Sequence, residues 1–122
     1  MNITVESANE ATLVSLNEER IDAHNSSELK DFLQNLLESG QTSLVVDLAA
    51  VRFIDSSGLG ALLSGYKNAH LRQGNLVLAA LQPRVQSMFE LTRLHRVFEI
   101  YADSDQALAT VHEGESHDPN RH

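Results

Sequence analysis

The stretch of sequence that decides the fold is LVVDLAAVRFIDSSGLG, residues 44–60. It opens on a continuous apolar run, residues 44–48, which carries a carboxylate near its end. Such a run is typical of a strand covered on both faces, as in parallel sheets. A short loop follows, and Asp55-Ser56 then leads into a predicted helix. Because α/β proteins place functional loops at the carboxyl ends of parallel strands, we expect the functional site in this loop.

The chain before this stretch predicts a hairpin followed by an amphipathic helix. Residues 1–7 and 11–16 alternate apolar and polar side chains, as strands with one solvated face do, and residues 9–10 form the predicted turn. Asn25 and Glu28 have the spacing of a capping box, which predicts a helix start. Five apolar side chains then share one helical face: Leu29, Phe32, Leu33, Leu36 and Leu37.

The chain after this stretch continues to alternate between helix and strand patterns. In chain order we expect a helix over residues 57–71, a buried strand over residues 76–81, a helix from Pro83, a strand over residues 98–101 and a helix from Asp103. This order predicts an α/β fold, with a mixed and mostly parallel sheet, an antiparallel N-terminal hairpin and about four helices packed on it. The pattern stops after Val111, so we expect one domain over residues 1–112 and a disordered polar tail over residues 113–122.

Size and composition restrict the class of protein. A chain of 122 residues fits one domain. A formal net charge of −8 does not suit phosphate backbones, so we expect no direct nucleic-acid partner. No apolar run is long enough to cross a bilayer, and the first residues do not follow the pattern of a secretory signal. Together with the absence of cysteine, these features favour a cytoplasmic protein that does not insert into membranes.

The motifs of common enzyme classes fail in this sequence. Gly58-Leu59-Gly60 begins like a dinucleotide fingerprint, but position 63 is not the glycine that should follow. There is no P-loop lysine motif, and Ile54 stands where a nucleophile elbow around Ser56 needs glycine. The six histidines lack metal-ligand spacing. We therefore expect no enzyme, catalytic residue, cofactor or metal; a serine hydrolase and a small-ligand or nucleotide-binding protein are alternatives without a motif of their own.

Taken locally, residues 55–58 support two interpretations. Asp and Ser are preferred helix caps, so Asp55 or Ser56 could simply begin the helix. A serine at a helix N-terminus can also carry a phosphate, whose oxygens face free backbone N–H groups and the positive end of the helix dipole. Gly58 has no side chain, so we expect that a partner's backbone approaches closely there.

Residues 47–60 also form a long motif, Asp-Leu-x-x-Val-x-Phe-Ile-Asp-Ser-Ser-Gly-Leu-Gly. This motif resembles the signature of the anti-sigma factor antagonists, which belong to the STAS domain family. Weaker similarity extends over residues 1–112 and includes residues 21–24 and 89–94. The resemblance implies a STAS-like domain that regulates sigma-factor-dependent transcription by partner switching.

The resemblance also implies a mechanism. In this family the unphosphorylated antagonist binds an anti-sigma factor, itself an ATP-binding serine kinase, and so frees the sigma factor. The kinase phosphorylates the serine after the motif aspartate, the antagonist is released, and a separate phosphatase resets it. Carried over by position, the phosphorylated residue is Ser56 and the partner-binding residues are Asp22, Asp55, Ser57, Gly58 and Leu59.

An alternative within the same family is a scaffold of a stress-sensing complex or a subunit of a phospholipid-transport complex; the intact Asp-Ser-Ser-Gly motif favours the antagonist.

Three positions depart from the family pattern. Asn17-Glu18-Glu19-Arg20 precedes Asp22 where glycine is usual, which changes the charge of the partner-facing loop. Ala49 stands where serine is frequent. Arg93 stands where glycine is common, which we expect to alter the end of the third helix.

Overall fold

A mixed sheet of five strands lies at the centre of the structure, a computed structural model that describes residues 1–8 and 10–116. The elements, in chain order, are β1 (Ile3–Ala8), β2 (Ala11–Leu16), β3 (Arg20–Ile21), α1 (Ser26–Glu38), β4 (Ser43–Asp47), β5 (Phe53–Ile54), α2 (Ser56–Leu71), β6 (Asn75–Ala79), α3 (Pro83–Leu91), β7 (Ile100–Tyr101) and α4 (Ser104–Ser116). One turn of 3-10 helix, Leu94–Arg96, lies between α3 and β7.

The five strands lie in the order β1-β2-β4-β6-β7. β1 and β2 pair antiparallel, whereas β2–β4, β4–β6 and β6–β7 pair parallel. The predicted α/β fold is confirmed, with its mixed sheet, its antiparallel N-terminal edge and four α-helices in the part of the chain that the structure describes. The sequence did not predict β3 and β5, which form a separate parallel pair. Each has two residues, too few to show any periodicity.

The central strand β4 is covered on both faces, as its apolar run predicts. Val46 belongs to the main core, where helices α1 and α2 pack on the sheet through side chains such as Leu33 and Leu62. Val45 belongs to a smaller cluster, together with Ala107 of α4. All five side chains are fully buried. Helices therefore cover the two faces of β4, which is why this strand has no polar face.

The predicted capping box at the start of α1 is wrong. Asn25 precedes the helix without capping it, because its Oδ1 accepts the N–H of Asp22 (2.9 Å) and its Nδ2 donates to the carbonyl of Arg20 (2.8 Å). The Oε2 of Glu28 accepts instead from the amino group of Met1 (2.9 Å). The Asn25 amide is engaged in folding the short loop that turns from β3 into α1.

The other helix starts follow the sequence closely. α2 begins at Ser56, one residue before the predicted start, and α3 begins with Pro83. At α4 the Oδ1 of Asp103 accepts the N–H of Gln106 (2.8 Å), and the Oε1 of Gln106 accepts the N–H of Ala102 (3.2 Å). The predicted cap of this last helix is therefore confirmed, with the Gln106 side chain bonded to the residue just before the capping aspartate.

Some element ends differ from the prediction. β6 ends two residues early, and Phe98 packs into the core before β7 instead of beginning that strand. α4 continues to Ser116, so the predicted domain boundary at residue 112 falls inside a helix. Asn9 of the predicted turn and residues 117–122 of the predicted tail lie outside the described residues. Among the helices that the structure describes, none combines the length and the apolar character needed to span a bilayer.

Candidate functional site

Two loops that are distant in sequence meet at the carboxyl ends of β3 and β5. The two strands pair in parallel, with Ile21 opposite Ile54. The N–H of Asp55 extends this pairing by donating to the carbonyl of Ile21 (3.2 Å). Asp22 and Asp55 are thus the first residues beyond two paired strands, and the structure brings the predicted Asp22 loop beside the predicted serine loop.

Asp55 is the N-cap of α2. Its backbone is extended (φ −109°, ψ −173°), and its carboxylate accepts the N–H of Gly58 at 3.0 Å. Its carbonyl accepts the N–H of Leu59 at 3.0 Å, the first hydrogen bond of the helix. Of the two residues that the sequence offered as the cap, Asp55 takes this role, and Ser56 becomes the first residue of the helix.

Ser56 and Ser57 are both exposed in the first turn of α2. Neither hydroxyl has a hydrogen-bond partner among the residues that the structure describes. An exposed, unengaged hydroxyl at the start of a helix is accessible to an incoming protein.

Gly58 makes room for the protein's own backbone. A Cβ atom on Gly58 would lie 2.8 Å from the carbonyl oxygen of Ile21 and 2.7 Å from Cγ1 of Ile54. Gly58 is buried, so the expectation that its missing side chain admits a partner's backbone is corrected: α2 itself approaches β3 there. Leu59 is 4% exposed and belongs to the main core, so its side chain packs in the core and anchors the start of α2.

The Asp22 carboxylate is largely covered by its own loop, with 18% of the side chain exposed. Its Oδ1 accepts the N–H of His24 (3.0 Å), and its Oδ2 lies 3.4 Å from Nε of Arg20. The hydrogen bond from the His24 backbone lowers the pKa of Asp22 below its ordinary value; partial burial opposes this effect and Arg20 adds to it. Asp22 is therefore an anion throughout the neutral range.

Arg20 is a site residue whose contacts the sequence did not predict. Its guanidinium lies over the ring of Phe53, 4.2 Å from the centroid, while Nε reaches Asp22. The contact with Phe53 depends on the pairing of β3 with β5, which places Arg20 opposite Phe53 and which no local pattern indicates. Arg20, one of the residues 17–20 that depart from the family pattern, is therefore a direct partner of the predicted binding carboxylate of Asp22.

The surface around Asp22 is an open and mainly acidic groove. Three of its lining side chains are carboxylates and one is a guanidinium. The lining residues are Glu18, Glu19, Arg20, Asp22, His24 and Asn25. Such a surface suits a basic group on another molecule. In the described residues, no three side chains of the metal-binding types come together in a way that could hold an ion.

Comparison with known proteins places this chain in a family. The sequence matches the STAS domain family model over residues 2–107. The anti-sigma-B factor antagonist of Bacillus subtilis is 30% identical over 106 residues, which cover 86% of this chain and 96% of that protein. The anti-sigma-B factor antagonist of Listeria monocytogenes is 35% identical over 80 residues, which cover 66% of this chain and 70% of that protein.

The fold leads to the same group of proteins. The crystal structure of an anti-sigma factor antagonist from Mycobacterium paratuberculosis superposes with a TM-score of 0.81 at 27% identity, over 90% of this chain and 92% of that one. The resemblance inferred from residues 47–60 is thereby confirmed. The chain belongs to the STAS domain family, and these matched relatives within it are anti-sigma factor antagonists.

Proposed function

We propose that this anti-sigma factor antagonist binds an ATP-dependent anti-sigma factor kinase while Ser56 is unphosphorylated, and is released when Ser56 takes a phosphate. Binding frees a sigma factor for transcription in the cytoplasm, and a phosphatase returns Ser56 to its free form. The chain contacts no nucleic acid directly in this scheme. It acts as a binding partner and a kinase substrate, not as an enzyme.

The observation that carries the proposal is the position of Ser56. Its hydroxyl is exposed and unengaged at the first residue of α2, directly after the capping carboxylate of Asp55. The Asp22 loop lies on the adjacent strand end, held by the bond from Asp55 to Ile21. A kinase that docks on these two loops would therefore meet the serine and both carboxylates together.

The charge of a phosphate explains release. Phosphorylation adds about 1.5 to 2 negative charges at pH 7. The N–H of Gly58 is already engaged by Asp55, so part of the positive helix end is compensated before a phosphate arrives. Water can solvate the added charge on the free chain. In a closely packed interface the phosphate would be desolvated beside two existing carboxylates, which weakens binding.

The same electrostatics supports the order of events. Before phosphorylation, the acidic groove around Asp22 attracts basic groups of a kinase, and the lowered pKa keeps Asp22 charged. After phosphorylation, the negative charge at Ser56, Asp55 and Asp22 together exceeds the positive charge of the kinase groups that contact them. The switch operates by charge and needs no refolding of the antagonist.

Phosphosite mapping tests the proposal. The wild-type chain is used to capture its kinase without ATP; the isolated kinase is then incubated with wild type, Ser56→Ala or Ser57→Ala in the presence of ATP. Mass spectrometry should find one phosphate on Ser56 in wild type and in Ser57→Ala, and none in Ser56→Ala. Phosphate on Ser57 or on another residue, with Ser56 bare, contradicts the assignment.

The same capture distinguishes the alternatives. A transporter ATPase in place of a small ATP-binding kinase would support a subunit of a phospholipid-transport complex. A serine hydrolase would react at Ser56 with an activated phosphonate, whereas a kinase substrate should not. No histidine in the described residues hydrogen-bonds the Ser56 hydroxyl, so no base of that type is engaged there.

A further inference from the structure

We propose that Arg52 and Arg84 form a second contact with the kinase, by binding carboxylates of an acidic segment on its surface. This inference rests on the proposed function, because the partner is the protein that docks at Ser56. The two arginines line a groove of about 300 Å³ with Gln82 and Pro83. We call it the arginine groove.

The arginine groove is an unpaired positive feature on an acidic protein. The chain has a formal net charge of −8, with nine Lys and Arg in total. Arg52 and Arg84 are both exposed, and neither forms an ion pair with a carboxylate in the described residues. Arg20, by contrast, is paired with Asp22. Two adjacent, unpaired guanidinium groups fit carboxylates, which they can bind through two parallel hydrogen bonds.

The walls of the groove are held in place before any partner binds. Nε2 of Gln82 donates to the carbonyl of Ala49 at 2.6 Å, which joins the loop before α3 to the loop before β5. The N–H of Arg52 donates to the carbonyl of Glu19 at 2.8 Å. Pro83 begins α3 with a fixed backbone angle. A partner would therefore order two side chains on a fixed backbone, which limits the entropy lost on binding.

Distance makes the Ser56 partner the occupant of the groove. Arg52 stands four residues before Ser56, so the two Cα atoms are at most about 14 Å apart. A standard interface buries about 800 Å² per partner, equivalent to a disc about 16 Å in radius. Arg52 therefore lies within the radius of a standard interface centred on Ser56, and Arg84 shares its groove. Acidic groups of the kinase would meet Arg52 and Arg84, while its basic groups meet the Asp22 loop.

This pattern of charges also fixes the orientation of the partner. The negative groove is lined by residues around β3, which pairs with β5, whereas the positive arginine groove is lined by Arg52, just before β5, and by the start of α3. A partner with the complementary pair of patches can dock in one direction only. Charges at the rim of an interface act mainly on the association rate and on its dependence on salt.

The test measures binding of the captured kinase by surface plasmon resonance at several salt concentrations. Arg52→Gln/Arg84→Gln should lower the association rate constant about 4- to 20-fold and reduce its dependence on salt, because each exposed pair contributes modestly. Arg52→Lys/Arg84→Lys should recover most of the rate. The matched control is Arg72→Gln/Arg96→Gln, which changes the net charge equally; Arg72 lies at the far end of α2, about 24 Å from Ser56 along the helix.

Each outcome decides between the two proposals. The arginine groove is overturned if the groove double variant and the control have equal association rates and equal salt dependence. In that case, phosphorylation of Ser56 still supports the switch. No recovery of the association rate by lysine overturns attraction of carboxylates to the groove, because lysine keeps both positive charges. Failure of wild type to bind any kinase overturns both proposals. Circular dichroism should find all variants folded, since these side chains are exposed.

Discussion

The N–H of Asp55 donates a hydrogen bond of 3.2 Å to the carbonyl of Ile21, and through this bond the loop that begins with Asp22 lies against the start of α2. The same contact explains the glycine that follows, because Gly58 packs on the Ile21 carbonyl with no room for a Cβ atom. The predicted binding carboxylate and the predicted phosphate acceptor are thus parts of one surface. Their joint position depends on one short pair of parallel strands.

Variants of Ser56 test the charge argument for release. Ser56→Ala should bind the kinase as tightly as wild type and should stay bound when ATP is added. Ser56→Asp should bind at least about 10-fold more weakly, about 1.4 kcal/mol, because its charge lies beside two carboxylates. Isothermal titration calorimetry measures both, with Ser7→Ala, a change of an exposed serine on the edge strand β1, as the control expected to behave like wild type. Tight binding by the aspartate variant would contradict the electrostatic mechanism.

Asp55 should contribute to stability as a helix cap. Asp55→Ala removes the acceptor of the Gly58 N–H and should lower the free energy of unfolding by about 1 kcal/mol. Asp55→Asn keeps a side-chain oxygen in that position and should lose only a few tenths of that amount. Urea denaturation of the three proteins provides the comparison. Equal losses in the two variants would mean that the charge of Asp55, not its role as cap, stabilises the fold.

Gly58 and Gly60 form a matched pair within one helix. Gly58→Ala places a Cβ atom 2.8 Å from the Ile21 carbonyl oxygen and should destabilise the protein by about 1–3 kcal/mol, since backbone must move. Gly60→Ala meets no atom within 4 Å and should stabilise α2 by up to about 1 kcal/mol. Denaturant unfolding measures both substitutions. A neutral Gly58→Ala variant would refute the close approach of α2 to β3.

Arg93 has a left-handed backbone conformation, with φ of 65°, which favours glycine over residues that carry a side chain. An L-residue in this conformation is less stable by about 1–2 kcal/mol, whereas glycine adopts it freely but loses more entropy on folding. Arg93→Gly should therefore raise the free energy of unfolding by about 0.5–1 kcal/mol. Arg96→Gly, in the following 3-10 turn, should lower it by a similar amount. A loss of stability in both variants would contradict the strain at Arg93.

The charge of Asp22 should persist well into acid. The N–H of His24 lowers the pKa of this carboxyl below 3.8, so its contribution to stability is present above that value and disappears as the pH falls through the lowered pKa. Arg20→Gln should raise the pKa only in part, because the His24 backbone bond is the larger cause. A carbon-13 NMR titration of the Asp22 carboxyl checks both statements. A pKa at or above 3.8 in wild type would contradict them.

Local patterns in the sequence were sufficient for most of the fold and for half of the candidate site. The apolar run at residues 44–48 predicted a strand covered on both faces, and Val45 and Val46 lie in opposite clusters. Asp55-Ser56 predicted a helix start, and α2 begins there. The capping box at Asn25 failed because its amide bonds to the loop of β3, a contact that propensity does not register.

The sequence by itself determined the order of the four helices and of the five strands of the main sheet, the buried strand β4 and the helix start after Asp55, because these follow from periodicity and capping within a few residues. Only the tertiary structure decided that Ile21 pairs with Ile54, that Gly58 admits the protein's own backbone, and that Arg52 and Arg84 share one groove. The reason is physical. A two-residue strand has no period to read, and its hydrogen bonds join segments that come together only when the whole chain folds.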